Sequence, residues 1–133
     1  MTTPFWCLAI ACLLPYVWGP FSLTARQALP GGIDNKNPRA QYAQLTGRAA
    51  HAIAAQANAF EALAVFMAAV IVAHLAGADP VWSARLAVTW VLARVLHGIF
   101  YLADLDLARS SIFGVGLACD VGLFVLAARA VAG

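Results

Sequence analysis

Four long apolar stretches alternate with polar connections along the chain, at roughly Pro4–Leu23, Ala49–Ala76, Val81–Ala103 and Ile112–Ala132. Each approaches the ~20 residues that a helix rising ~1.5 Å per residue needs to cross the hydrocarbon of a bilayer. Strands are excluded on two grounds. The runs are too long, and four strands cannot close a barrel that satisfies every backbone group in lipid. The pattern predicts an all-α integral membrane protein: one domain over residues 1–133, folded as a bundle of four transmembrane helices. Pro15 lies inside the first stretch and predicts a kink there. That stretch has no positively charged leader and no small-residue cleavage motif after it, so it reads as a retained helix and not as a secretory signal.

The connections differ in character. Ser22 to Gly47 is long and polar, with turn signals at Pro30-Gly31-Gly32 and Asp34-Asn35-Lys36-Asn37-Pro38. Gly77-Ala78-Asp79-Pro80 is a tight turn in which Asp79 caps the third helix and Pro80 takes its first position. Ala103 to Ser111 reads as a short loop carrying Asp104, Asp106 and Arg109.

Composition agrees with a lipid solvent. Apolar residues make up 63% of the chain and charged residues 11%, against about 45–50% and about 25% in soluble domains. A soluble protein this small could not hide so much apolar surface. The net charge of +2 is spread along the chain, without a basic stripe, so nucleic acid is not an expected partner. Cys7, Cys12 and Cys119 are sparse and sit in apolar runs, which argues against a disulfide framework and against a metal site. Arg26, Lys36, Arg39, Arg48 and Arg109 fall on the side of the first and third connections, whereas only Arg85 and Arg129 fall on the other. The positive-inside rule then puts those connections in the cytoplasm and both termini outside it.

The spans also carry polar residues: Gln56, Asn58 and Glu61 in the second, Arg94, His97 and Tyr101 in the third, Asp120 in the fourth. Ionisable groups at membrane depth cost at least ~2.5–3.5 kcal/mol each, so they face a partner or a wet cavity. Counted along the helices, Glu61, Arg94 and Asp120 fall in one layer, and an Arg94–Glu61 or Arg94–Asp120 ion pair is expected, within one protomer or across an interface between protomers. Asn58 and Glu61 share a helix face, as do Arg94, His97 and Tyr101, so one cavity lined by both sets is expected, opening toward Arg109, Ser110 and Ser111. A buried pair that only holds the bundle together accounts for the same residues. Trp6, Trp18, Trp82 and Trp90 read as interfacial or packing residues. Gly114, Ala118 and Gly122 form a small-residue stripe suited to close helix contact.

Two segments carry a family resemblance. Arg48-Ala-Ala-His-Ala-Ile-Ala-Ala-Gln-Ala-Asn58-Ala-Phe-Glu61-Ala is similar to the second-helix Asn-x-x-Glu motif of the MAPEG proteins (membrane-associated proteins in eicosanoid and glutathione metabolism). Arg94-Val-Leu-His97-Gly-Ile-Phe-Tyr101, with Arg109-Ser110 after it, resembles their third-helix motif and its following Arg-Ser. Asp34-Asn35-Lys36-Asn37-Pro38-Arg39-Ala40 is similar to a bacterial branch. The resemblance implies a homotrimer in a bacterial inner membrane, with glutathione bound between protomers near the cytoplasmic face. It implies Asn58, Glu61, Arg94, His97 and Tyr101 as glutathione-binding residues and Arg109 and Ser110 as catalytic ones. The implied activity is that of a glutathione-dependent transferase or peroxidase acting on lipophilic electrophiles. One departure stands out. Enzymatic members usually carry an arginine just before, or four residues before, the motif asparagine; here those positions are Ala57 and Ala54. A non-catalytic scaffold protein that binds another ligand, or none, is the alternative reading. A proton-coupled transporter is a more distant one, because 133 residues supply few helices for alternating access.

Overall fold

Helix α1 (Thr3–Trp18) opens with Pro4 in its first turn, where a missing N–H leaves no bond unmade. It runs through Pro15, tightens into a 3-10 turn at Gly19–Ser22 and continues as α2 (Leu23–Gln27), giving one 25-residue helical run, Thr3–Gln27. A short α3 (Pro38–Tyr42) interrupts the following connection, and the long helices α4 (Gly47–Leu75), α5 (Pro80–Leu102) and α6 (Asp106–Ala132) complete the chain. The computed structural model describes residues 1–132. Among them it shows four helices long and apolar enough to cross a membrane, and no strand.

Helix ends are set by local chemistry. Asp79 Oδ1 accepts from the backbone N–H groups of Val81 (3.0 Å) and Trp82 (2.8 Å), which caps α5 as the sequence indicates. α4 and α5 both close with a paired terminal motif. Ala78 N–H reaches Ala73 O and Gly77 N–H reaches His74 O; Leu105 N–H reaches Phe100 O and Asp104 N–H reaches Tyr101 O. The motif needs a left-handed residue. Gly77 supplies it freely at φ 70°, whereas Asp104 does so at φ 57° with a side chain.

The fourth helix departs from its expected start. It begins at Asp106 and not near Ile112, which leaves Ala103–Leu105 as the connection. Arg109, Ser110 and Ser111 therefore stand on the first turns of α6 and not in a loop. Hydropathy marks only the lipid-soluble part of a helix, and the polar first turns, with Asp106 at the positive helix end, extend beyond it.

Packing rests on small residues. Ala52, Ala55, Ala59, Ala69 and Ala73 form the buried face of α4, against which α1, α5 and α6 pack. Phe66 stacks on Trp90 with ring centroids 3.9 Å apart. Gly98 of α5 lies flat against the Trp18 indole. The small-residue stripe of α6 divides: Gly122 packs on Leu86 of α5, while Gly114 and Ala118 are exposed.

The long connection is tied down by Gln41. Its Oε1 accepts from Arg26 Nε (2.9 Å) and from Asp34 N–H (3.3 Å), and its Nε2 donates to Gly32 O (2.7 Å). Arg26, counted above among the basic residues of its side, is buried, with its guanidinium 4.9 Å from the Tyr42 ring centroid. Asp34 Oδ1 accepts from Lys36 N–H and Asn37 N–H.

Two outcomes follow. Gly98→Ala drives a methyl into the rigid Trp18 ring, so it should lower stability by about 1–3 kcal/mol; thermal unfolding in detergent measures this, and adding Trp18→Leu should recover part of the loss. The backbone N–H of Asn37, then that of Lys36, holds the Asp34 carboxyl below its ordinary 3.8. The loop stabilisation from Asp34 is then full above 3.8 and is lost as pH falls through the lower folded value. Amide exchange at Lys36 and Asn37 should stay slow relative to the Asp34→Ala variant down to that point and converge below it.

Candidate functional site

Asn58 and Glu61 on α4, Arg94 on α5 and Asp120 on α6 line one cavity of about 200 Å³, together with Trp90, Phe113 and Gly116. The sequence thus places the polar layer correctly, but the pairing within it differs from expectation. Arg94 is only 3% exposed, and its Nη2 donates to both the backbone oxygen and the side-chain Oδ1 of Asn58. Among the described residues, neither Glu61 nor Asp120 comes within ion-pair distance of Arg94. The expected Arg94–Glu61 and Arg94–Asp120 pairs are absent from the protomer. Helical spacing says which residues share a face of one helix; it does not say how that face is rotated against its neighbour. Here α4 turns Asn58 toward α5 and leaves Glu61 exposed.

Asp120 is held by a different donor. Trp90 Nε1 donates to Asp120 Oδ2 at 3.2 Å, and Trp90 is itself fixed by its stack on Phe66. Two buried polar atoms of this wall, Arg94 Nε and Asp120 Oδ1, lack a hydrogen-bond partner. One is a donor and one an acceptor, so the cavity wall offers both to a polar guest.

The remaining residues form a second group nearer the α5–α6 connection. Tyr101 is its centre. Arg109 lies over its ring with the guanidinium carbon 4.3 Å from the centroid, His97 meets it edge-on at 5.1 Å, and the His51 ring lies tilted to it at 6.5 Å. His51 Nε2 is also 3.9 Å from Asp104 Oδ1, the residue in the left-handed region. His97 is buried and packs at 6.1 Å on Phe113. Ser110 is exposed on α6; its neighbour Ser111 donates back to Leu107 O at 2.9 Å. The site residues read from the sequence therefore fall into a deep group (Asn58, Glu61, Arg94) and an outer group (His97, Tyr101, Arg109), with Ser110 beside the latter.

Trp90 was read as an interfacial or packing residue and His51 was given no role, so neither was expected at the site. Both lie at helical spacing from residues that were: Trp90 four before Arg94, His51 seven before Asn58. That spacing was the available signal.

The model of the MAPEG family matches residues 3–129. The chain belongs to the MAPEG family. Comparison with curated proteins and with solved structures gave no match. Membership and the four apolar helices make this an integral membrane protein, of a family with glutathione-related transferase and peroxidase activities.

The geometry fixes what its variants should do. Asn58→Leu removes the side-chain acceptor and leaves the buried guanidinium only the backbone oxygen of that residue, so it should destabilise by about 1.5–3 kcal/mol, the worth of a hydrogen bond to a charged group. Glu61→Gln breaks no contact within the protomer and should change monomer stability by less than about 0.5 kcal/mol. Chemical unfolding in mild detergent compares the two; equal losses would restore Glu61 as the partner of Arg94.

Proposed function

We propose that this MAPEG protein is a glutathione-dependent transferase or peroxidase for lipophilic electrophiles, acting as a homotrimer with the site facing the cytoplasm. The observation that carries this reading is the Arg94–Asn58 hydrogen bond beside an exposed, unpaired Glu61. Asn58 fixes the guanidinium without neutralising it, so a cation and an anion stand side by side in one cavity. Glutathione carries two carboxylates and an ammonium, and this donor set suits it. Arg94 takes a carboxylate through its forked donors and Glu61 takes the ammonium. Arg94 and Tyr101 are seven residues apart on α5, roughly 10 Å at ~1.5 Å per residue, which is about the span of a short extended peptide. A molecule held at Arg94 thereby reaches Arg109.

The outer group supplies the electrostatics. When bound, glutathione contributes the thiol whose deprotonated form attacks the electrophile. Arg109, held over Tyr101, favours the thiolate by its charge. Ser110 donates a hydrogen bond to the sulfur. The apolar exposed surface around Phe113 and Leu117 admits a lipid-soluble co-substrate from the bilayer.

A second reading keeps the scaffold without the chemistry. Ala57 is exposed next to Asn58 and, with Ala54, stands where enzymatic relatives carry a carboxylate-binding arginine. In that case replacing Arg109 and Ser110 leaves the biological role intact, whereas bulky residues at the exposed Gly114 and Ala118 abolish it.

Purified protein in nanodiscs tests the enzyme. Calorimetric titration should detect glutathione binding, and a chloronitrobenzene electrophile or a lipid hydroperoxide should be turned over. Arg94→Leu should lose binding. Ser110→Ala should retain binding and lose roughly ten-fold in turnover, about 1.4 kcal/mol for one charge-assisted hydrogen bond. Wild-type protein that neither binds glutathione nor exceeds the uncatalysed rate would sink this reading and leave the scaffold.

A further inference from the structure

A second cavity lies at the other end of the bundle, where α4 turns into α5. It measures about 490 Å³ and is bounded by the start of α1, the last turns of α4, the first turns of α5 and Leu123 of α6. Phe5, Val70, Ala73 and Leu123 give it apolar walls. No Asp, Glu, Lys or Arg lines it.

Its polar content is specific. Ser83 is 7% exposed, and its Oγ has no hydrogen-bond partner. A helical serine usually donates back to the carbonyl four residues earlier, as Ser111 does to Leu107 at 2.9 Å. Ser83 does not. Its hydroxyl remains buried and unbonded in the wall of a cavity large enough for a ligand, a condition that lowers stability unless something hydrogen-bonds to it. Near it His74 packs against Phe5 with ring centroids 4.9 Å apart, which closes one side.

Depth narrows the ligand further. Ser83 is three residues past Pro80, roughly 5 Å along α5 at ~1.5 Å per residue. Leu123 is nine residues from Ala132, roughly 14 Å along α6 by the same rise. The cavity therefore runs from the membrane interface into the hydrocarbon, with its free donor at the shallow end. Its volume falls within the roughly 300–1,000 Å³ of small-ligand sites. The absence of charged lining residues disfavours a phosphate, carboxylate or ammonium head, since a charge buried there would have no partner.

We propose that this cavity is a binding site for a neutral single-chain ester lipid, with the ester carbonyl accepting from Ser83 Oγ and the chain lying along Val70, Ala73 and Leu123. The site is separate from the polar cavity at the other end of the bundle, so its occupancy does not depend on glutathione.

The test uses full-length protein in phosphatidylcholine nanodiscs and a diazirine-tagged monoacylglycerol, with cross-links mapped by mass spectrometry. Labelling should concentrate on the start of α1 and the α4–α5 turn. Unlabelled monoolein should compete, while oleate at alkaline pH and the matching hydrocarbon should compete at least about ten-fold more weakly, the cost of an unpaired charge or a lost acceptor. Ser83→Ala should cut labelling about five-fold, the worth of one hydrogen bond, and Ala84→Phe, which fills the cavity, should abolish it. Both variants should elute like wild type and unfold cooperatively; should Ser83→Ala fail to fold, Ala84→Phe, at a lining residue, decides. Labelling spread over all lipid-facing helices without competition would overturn the proposal, as would equal competition by oleate or wild-type labelling of a folded Ser83→Ala.

Discussion

A guanidinium at 3% exposure between apolar helices is the group around which this bundle is organised. Taking such an ion out of water costs several kcal/mol, and the loss must be met inside the protein. Asn58 meets it with two neutral acceptors, its own backbone oxygen and its side-chain oxygen. The choice of a neutral partner matters. A carboxylate would have balanced the charge and closed the site. An amide satisfies the hydrogen bonds and leaves the positive charge available to an anion, and it leaves Glu61 free for a cation.

The same principle holds on the other wall. Asp120 takes a hydrogen bond from the neutral indole of Trp90, and the face-to-face stack on Phe66 stops that indole from turning. Gly116 lies across from both; a methyl there would make ordinary contact with Arg94 and Trp90, so the wall is close-fitting without being compressed. Helices α4, α5 and α6 are thus joined through polar groups that are anchored by packing. A site built this way on rigid elements holds its geometry before any ligand arrives.

Much of this was legible in the chain itself. Four apolar runs of membrane length predict four helices because lipid allows few alternatives, and the i, i+3 and i+7 positions of Arg94, His97 and Tyr101 identify one helix face. Helix ends were less legible. Asp106 to Ser111 is polar, so hydropathy reads it as a loop, yet it contains good helix formers and an acidic first turn, and it folds as helix. The contact that Arg94 makes within the protomer was not legible. Asn58 and Glu61 lie on nearly the same face of α4, and a modest helix rotation decides which of them meets α5. Nor does composition show that Gln41 would gather Arg26, Gly32 and Asp34 into one knot, because those contacts depend on the path of an irregular segment.

Glu61 constrains how the protomer can exist in a membrane. It lies fourteen residues into α4, roughly 20 Å along the axis at ~1.5 Å per residue, well past the polar first turns, and it is exposed. An ionised carboxylate at that depth cannot face acyl chains without a cost of ~2.5 kcal/mol or more. Among the described residues, no cationic side chain comes within ion-pair distance of Glu61 in the protomer. The polar cavity that Glu61 lines relieves part of that cost, and in the proposed assembly a neighbouring protomer or a bound ammonium would relieve the rest. The proposed trimer with glutathione at its interfaces supplies both, and the exposed Gly114 and Ala118 on α6 give a second helix room for close approach. On that proposal, the residue left unpaired inside one protomer would favour association and ligand binding together.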